Sequence, residues 1–255
     1  MQNRGRIVLK VGGGEVDNPQ FLKQLAVLIK AMAVRPVIVH GGGKDITRLL
    51  EGLGIKSKWH QGLRITDDEA IEVVEMALSG LVNKRIVGAL EAGKVRALGV
   101  SGRDLGLVRA AKLEAEVDLG HVGEAGIVNS GAIKTLAKNN WVPVISPVSQ
   151  DKQGFVLNIN ADHVARAVAV GLKAEELVFV SNVPCIYDDN YELSTLKAEQ
   201  AETLIASGII DGGMIPKVRS GISALEGGVK RVVITDIDGF GRRLEGEEAG
   251  TVIEK

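Results

Sequence analysis

The sequence predicts an α/β fold, a mainly parallel sheet with helices on both faces. Three observations carry this. Apolar runs of strand length alternate with stretches of helical periodicity along almost the whole chain. The runs read as buried strands. Several of them end in glycine or turn residues, so loops collect at the carboxyl ends of the strands, where such sheets bind ligands.

Residues 7–14, Ile-Val-Leu-Lys-Val-Gly-Gly-Gly, read as a buried strand that ends in glycines. Residues 19–33 carry apolar side chains at helical spacing behind Pro19. Pro36–His40 is a second strand running into Gly41–Gly43, and a helix with Ile46, Leu49, Leu50 and Leu53 on one face follows. Residues 55–66, with Trp59, His60 and Arg64 around Gly62, read as an exposed hairpin or loop. Asp67 can cap a long periodic helix over 68–92. Val95–Val100 is a strand, 106–128 read as irregular strands, 130–139 as a helix and Val142–Ser146 as a strand. Gly154–Asn158 leads into Asn160-Ala-Asp162 and a helix through Leu172, then a strand over Glu176–Ser181. Helices over 197–207 and 216–227, a strand over Lys230–Thr235 and a last edge strand over Thr251–Ile253 complete the chain.

Bulk properties exclude several classes. The 255 residues, 45% hydrophobic, suffice for one large domain or two lobes. A net charge of -1 with 3% aromatics gives neither a basic face nor stacking platforms for nucleic acid. The lone Cys185 rules out an internal disulfide and a Cys-rich metal site. The four histidines show no metal-ligand spacing, so no metal site is expected. There is no apolar signal region and no run long enough to span a bilayer. A soluble cytoplasmic protein is expected.

The chemistry is read from glycines, lysines and one aspartate. Glycines cluster at 12–14, 41–43 and 212–213, yet the P-loop, dinucleotide and protein-kinase signatures are all missing. Lys10 and Lys217 each sit where a glycine-rich loop meets a regular element. Either lysine alone reads equally as a solvated surface charge. Phosphoryl transfer, however, needs positive charge aimed at the transferring oxygens, and two lysines from opposite ends of the chain would supply it. Asp162 is either a helix cap or an orienter that holds both ammonium groups. Asn158 and Asn160 can donate amide hydrogens to a carboxylate. Arg64 suits bidentate carboxylate capture, or is an ordinary surface arginine.

Taken together, Val39-His-Gly-Gly-Gly43, Gly62-Leu-Arg-Ile-Thr-Asp67, Asn158-Ile-Asn-Ala-Asp162 and Gly212-Gly-Met-Ile-Pro-Lys217 resemble the amino-acid kinase family along nearly the whole chain. The resemblance is to the branch acting on acetylated glutamate. It implies an open three-layer αβα sandwich, with an acyl-amino-acid and dimerisation lobe over 1–160 and an ATP lobe over 161–255. It implies transfer of the ATP γ-phosphoryl group to the side-chain carboxylate of N-acetyl-L-glutamate in arginine biosynthesis, with Mg²⁺ carried by the nucleotide. Lys10 and Lys217 would stabilise the transition state and Asp162 would organise them. Gly12 and Gly13 would give N–H groups to the phosphates. Gly41, Gly42, Arg64, Asn158 and Asn160 would hold the amino acid. Asn182, Val183, Ile186, Tyr187, Ile209, Ile210 and Asp211 would form the nucleotide side. Asn182 and Cys185 depart from the aspartate and glycine common there. A sister group acting on carrier-protein-bound aminoadipate or glutamate is the nearest alternative, and a non-catalytic amino-acid/ATP-binding regulator a more distant one. With nine residues before Lys10, a homodimer insensitive to arginine is expected.

Overall fold

The computed structural model describes residues 6–188 and 191–255. Among them an eight-stranded sheet runs in the order 195–197, 251–254, 231–235, 176–180, 7–11, 37–40, 142–146, 97–101. The six strands from 231–235 to 97–101 are parallel. The strand Thr251–Glu254 runs antiparallel to Arg231–Thr235, and Thr195–Lys197 runs alongside it. Strand 251–254 is therefore paired on both sides, not an edge as the sequence predicts. The true edge, Thr195–Lys197, is three residues long and two of them are exposed, too short to show a period.

Side chains alternate across a strand, and here both faces are apolar. Val8, Val39, Phe179 and Ile234 face one core, which the helices Ala161–Leu172 and Met214–Glu226 close with Val164, Val168, Val218 and Leu225. Leu9, Val11, Ile38 and Val178 face the other, closed by Leu25 and Ile29 of the helix Pro19–Ala31 and by Ile86 and Leu90 of Asn83–Ala92. These are three layers, helix, sheet, helix. No helix of the described residues is long and apolar enough to cross a membrane.

Three features depart from the sequence reading. The segment 68–92 is not one α-helix: Asp68–Glu75 and Asn83–Ala92 flank a π-helical stretch, Met76–Val82. There Ser79 Oγ meets Ser146 Oγ at 2.7 Å, and Leu78 and Val82 press on Gly42. The irregular strands close into a four-stranded barrel of Val108–Lys112, Val122–Val128, Val148–Gln150 and Val156–Ile159. The helix Ile237–Glu245, capped by Asp236 onto the Gly239 amide at 2.7 Å, was not visible because only Ile237, Phe240 and Leu244 are apolar in it.

Candidate active site

The site is built at the carboxyl ends of the strands Ile7–Val11 and Val37–His40. Both strands end in glycines, and the two loops touch backbone to backbone. A Cβ on Gly13 would stand 2.7 Å from Gly42 N, and one on Gly42 would stand 2.6 Å from Leu78 Cδ2. No side chain fits at either position. The ladder continues one residue beyond each strand: the Gly12 amide donates to Val180 O at 3.1 Å and the Gly41 amide to Val11 O at 3.0 Å. Gly12 therefore has no N–H to offer a phosphate, and Gly41 none to offer a substrate. Gly13 and Gly42 make no backbone hydrogen bond through their amides among the described residues. They are the free donors, with the start of the helix Gly43–Gly52 beside them.

Period two puts Lys10 on the same face as Val8, under the first turn of the helix Ala161–Leu172. Asp162 lies in that turn, and its Oδ1 is 2.8 Å from Lys10 Nζ, with both side chains buried. This oxygen accepts no directed hydrogen bond, so the ammonium is the charge that balances it. Asn160 caps the helix, its Oδ1 accepting from the Asp162 amide at 2.8 Å, which fixes the carboxylate beneath the cleft.

Lys217 stands differently. It sits in the first turn of the helix Met214–Glu226 and donates to Gly213 O at 2.7 Å, within its own helix start. It makes no ion pair with Asp162 among the described residues. Burial first, and then the like charge of Lys10, lower its pKa, against the opposing pull of Asp162 and Glu15. Lys217 therefore feels Lys10 and Asp162 across the cleft without touching the carboxylate. The expectation that Asp162 holds both ammonium groups is met for Lys10 alone.

A cavity of about 250 Å³ opens over Lys10, lined by Gly13, Gly41, Gly42, Arg64, Asn158 and Asn160 among others. Arg64 comes from a hairpin of Lys58–His60 and Leu63–Ile65. Its guanidinium is buried beneath the Trp59 ring, 4.3 Å from the centroid. It donates to Ser57 Oγ, to Thr47 Oγ1 at 2.7 Å and to Gly43 O at 3.2 Å. Burial lowers its pKa. No carboxylate of the described residues pairs with it. Asn158 donates from Nδ2 to Thr66 Oγ1 at 3.1 Å, at the cavity wall. The structure thus gathers Lys10, Gly13, Gly41, Gly42, Arg64, Asn158 and Asn160 into one space, with Asp162 joined through Lys10.

The nucleotide-side residues lie outside that cavity. Asn182 and Asp211 are exposed, Tyr187 is 39% exposed, and Val183 and Ile209 are half-buried. Ile186 and Ile210 are core residues, so their side chains do not face a ligand. Cys185 is buried and its backbone does not need the left-handed region, so a side chain is tolerated where glycine is common. Among the described residues, no three His, Cys, Asp or Glu side chains group closely enough to hold a metal ion.

One group escaped sequence reasoning. His40 is wholly buried at the end of its strand, and burial holds its pKa down at about 4. The signal was present: a polar residue closing an apolar strand immediately before three glycines. Chemically, the assembled site can hold a small carboxylic acid by Arg64 and Asn158 and set its far end against amides and ammonium groups suited to a polyanion.

A model of the amino acid kinase family matches residues 5–236. An acetylglutamate kinase from Chloroflexus aggregans is 43% identical over 96% of this chain and 98% of its own length. One from Persephonella marina is 42% identical over 91% of this chain and 85% of its own. Among solved structures, smu.665 from Streptococcus mutans UA159 superposes with a TM-score of 0.81 at 30% identity, covering 97% of this chain and 98% of that one.

Proposed function

The chain belongs to the amino acid kinase family, and on that premise we propose that it is an acetylglutamate kinase of arginine biosynthesis. It transfers the γ-phosphoryl group of ATP to the side-chain carboxylate of N-acetyl-L-glutamate. A carboxylate oxygen forms the new bond to phosphorus as the bond to the β-phosphate oxygen breaks, giving an acyl phosphate and ADP. The attacking group is already an anion, so no general base is required.

One observation carries the substrate reading: Arg64 is a buried cation with no carboxylate among the described residues to balance it, set in the same cavity as Lys10. A substrate carboxylate satisfies it. Lys10, held by Asp162, and Lys217 would neutralise charge on the transferring group, and the Gly13 and Gly42 amides would donate to its oxygens. Donors of this kind fit nucleotide phosphates, and the Mg²⁺ they carry would neutralise charge between the phosphate oxygens. The nucleotide side is assigned to Asn182, Val183, Tyr187, Ile209 and Asp211, with Ile186 and Ile210 as packing beneath it.

The two lobes divide at 160/161. In support, the strands after that point form one half of the sheet and those before it the other. The protein acts as a cytoplasmic homodimer: Met76 and Leu81, 58% and 41% exposed, belong to the π-helical stretch beside the edge strand Ala97–Ser101 and leave an apolar surface there. Sedimentation velocity tests this, and a monomer at micromolar concentration contradicts it.

A coupled ADP-release assay over acylated and free acidic amino acids tests the activity. ATP-dependent turnover of N-acetylglutamate is expected. Turnover only of carrier-protein-bound aminoadipate or glutamate, or none at all, overturns the proposal.

A further inference from the structure

We infer that His40 and Asn83 are positioning residues for phosphoryl transfer: together they hold the Gly41–Gly42 peptide with its carbonyl turned into the core and its N–H turned into the cleft. The inference rests on the phosphoryl-transfer reading, since an inward N–H matters only where negative charge develops.

The chain of contacts begins at Asn83, buried where the π-helical stretch ends. Its Nδ2 donates to Val144 O at 2.9 Å, and its Oδ1 accepts from Lys84 Nζ at 2.9 Å. Both ends of the amide are thereby assigned. The other Nδ2 hydrogen has His40 Nε2 at 3.1 Å and, more distantly, Val100 O at 3.4 Å within reach, and since an amide NH₂ cannot accept, Nε2 carries no hydrogen of its own. A neutral imidazole then carries its hydrogen on Nδ1, which donates to Gly41 O at 2.8 Å.

That bond fixes a peptide plane. The peptides of the described residues are trans, so a carbonyl and the N–H that follows it point in opposite directions. With Gly41 O turned to the ring, Gly42 N–H turns away from it, toward the Gly13 loop, where a Cβ would stand 2.7 Å from Gly42 N. The Gly41 amide is pinned to Val11 O at 3.0 Å, so this plane is the next free one in the loop. Two adjacent glycines have little intrinsic preference between the two orientations of the peptide between them. The orientation that makes Gly42 a donor is the one the imidazole selects.

Two isosteric replacements test this. His40→Asn keeps an amide N–H where Nδ1–H stood, while His40→Gln places its amide at the Nε2 end and leaves Gly41 O without a donor. In the ADP-release assay His40→Gln is expected to lose kcat on the order of 10- to 100-fold. KM for N-acetylglutamate and ATP should change by no more than about threefold, because ground-state binding does not use this N–H. His40→Asn should recover kcat to within about threefold of wild type. Asn83→Leu should fall with His40→Gln, and the double variant should be no worse than either single one. Equal kcat for folded His40→Asn and His40→Gln overturns the inference, as does a loss that merely tracks the folded fraction. Should His40→Gln not fold, the wild-type ¹⁵N–¹H spectrum decides. The Gly42 amide resonance should shift on adding ADP and aluminium fluoride with N-acetylglutamate, and a stationary one overturns the inference. A wild-type enzyme inactive on N-acetylglutamate overturns the functional reading itself, a result distinct from these.

Discussion

The two sides of the cleft are built to different standards. On the amino-acid side the functional groups are buried and already bonded: Lys10 to Asp162, Arg64 to Ser57, Thr47 and Gly43, His40 to Gly41. On the nucleotide side all but the core residues Ile186 and Ile210 are exposed or half-buried, and among the described residues Lys217 is bonded only to a carbonyl of its own helix start. The difference teaches where the work of assembly falls. On the proposed function, folding preorganises the acceptor pocket and one ammonium group, whereas the second ammonium would exchange a local bond for the phosphoryl group when the nucleotide binds.

The two lysines separate the sides most sharply. Lys10→Ala should lower kcat on the order of 10³-fold and also cost about 3–5 kcal/mol of stability, because it leaves Asp162 buried and unbalanced. Lys217→Ala should lower kcat by at least about 10²-fold with a melting temperature close to wild type, since it breaks a single local hydrogen bond. Paired kinetics and thermal melts check both. Equal melting temperatures would break the contrast.

Acid should open the prebuilt side. His40 is neutral in the fold, its pKa lowered from 6.5 to about 4 by burial. Its folded value lies below its unfolded one, so its contribution is complete above pH 6.5 and is lost as pH falls from 6.5 toward 4. The full loss is about 3 kcal/mol. Urea midpoints measured at pH 7.5, 6, 5 and 4 read it, and a midpoint flat across that window contradicts it. Arg64→Ala should raise KM for N-acetylglutamate on the order of 10- to 100-fold and leave KM for ATP unchanged. If only the ATP value moved, the two sides would be exchanged.

Much of the layered fold was legible, because strands buried on both faces must be apolar and Ile7–Val11, Val37–His40 and Glu176–Val180 are, apart from Lys10, His40 and Glu176. What depends on pairing was not. The barrel strands are short and mixed, and Thr195–Lys197 acquires its meaning only beside Thr251–Glu254. In the site, a bond between Asp162 and Lys10 was one of two readings the sequence left open, and the structure makes it. The N–H donation expected of Gly12 is not available, because the ladder runs one residue past the strand and spends that amide on Val180 O. The burial of Arg64 was hidden, since its hairpin looks exposed until Trp59 and the helix Gly43–Gly52 are set around it.

A crystal structure with ADP, aluminium fluoride and N-acetylglutamate bound tests the divided site most directly. Lys217 Nζ should have left Gly213 O and, with Lys10 Nζ, lie about 2.7–3.1 Å from the fluorides, Lys10 still resting on Asp162. A Lys217 that keeps its bond to Gly213, with Lys10 alone touching the fluorides, would contradict it.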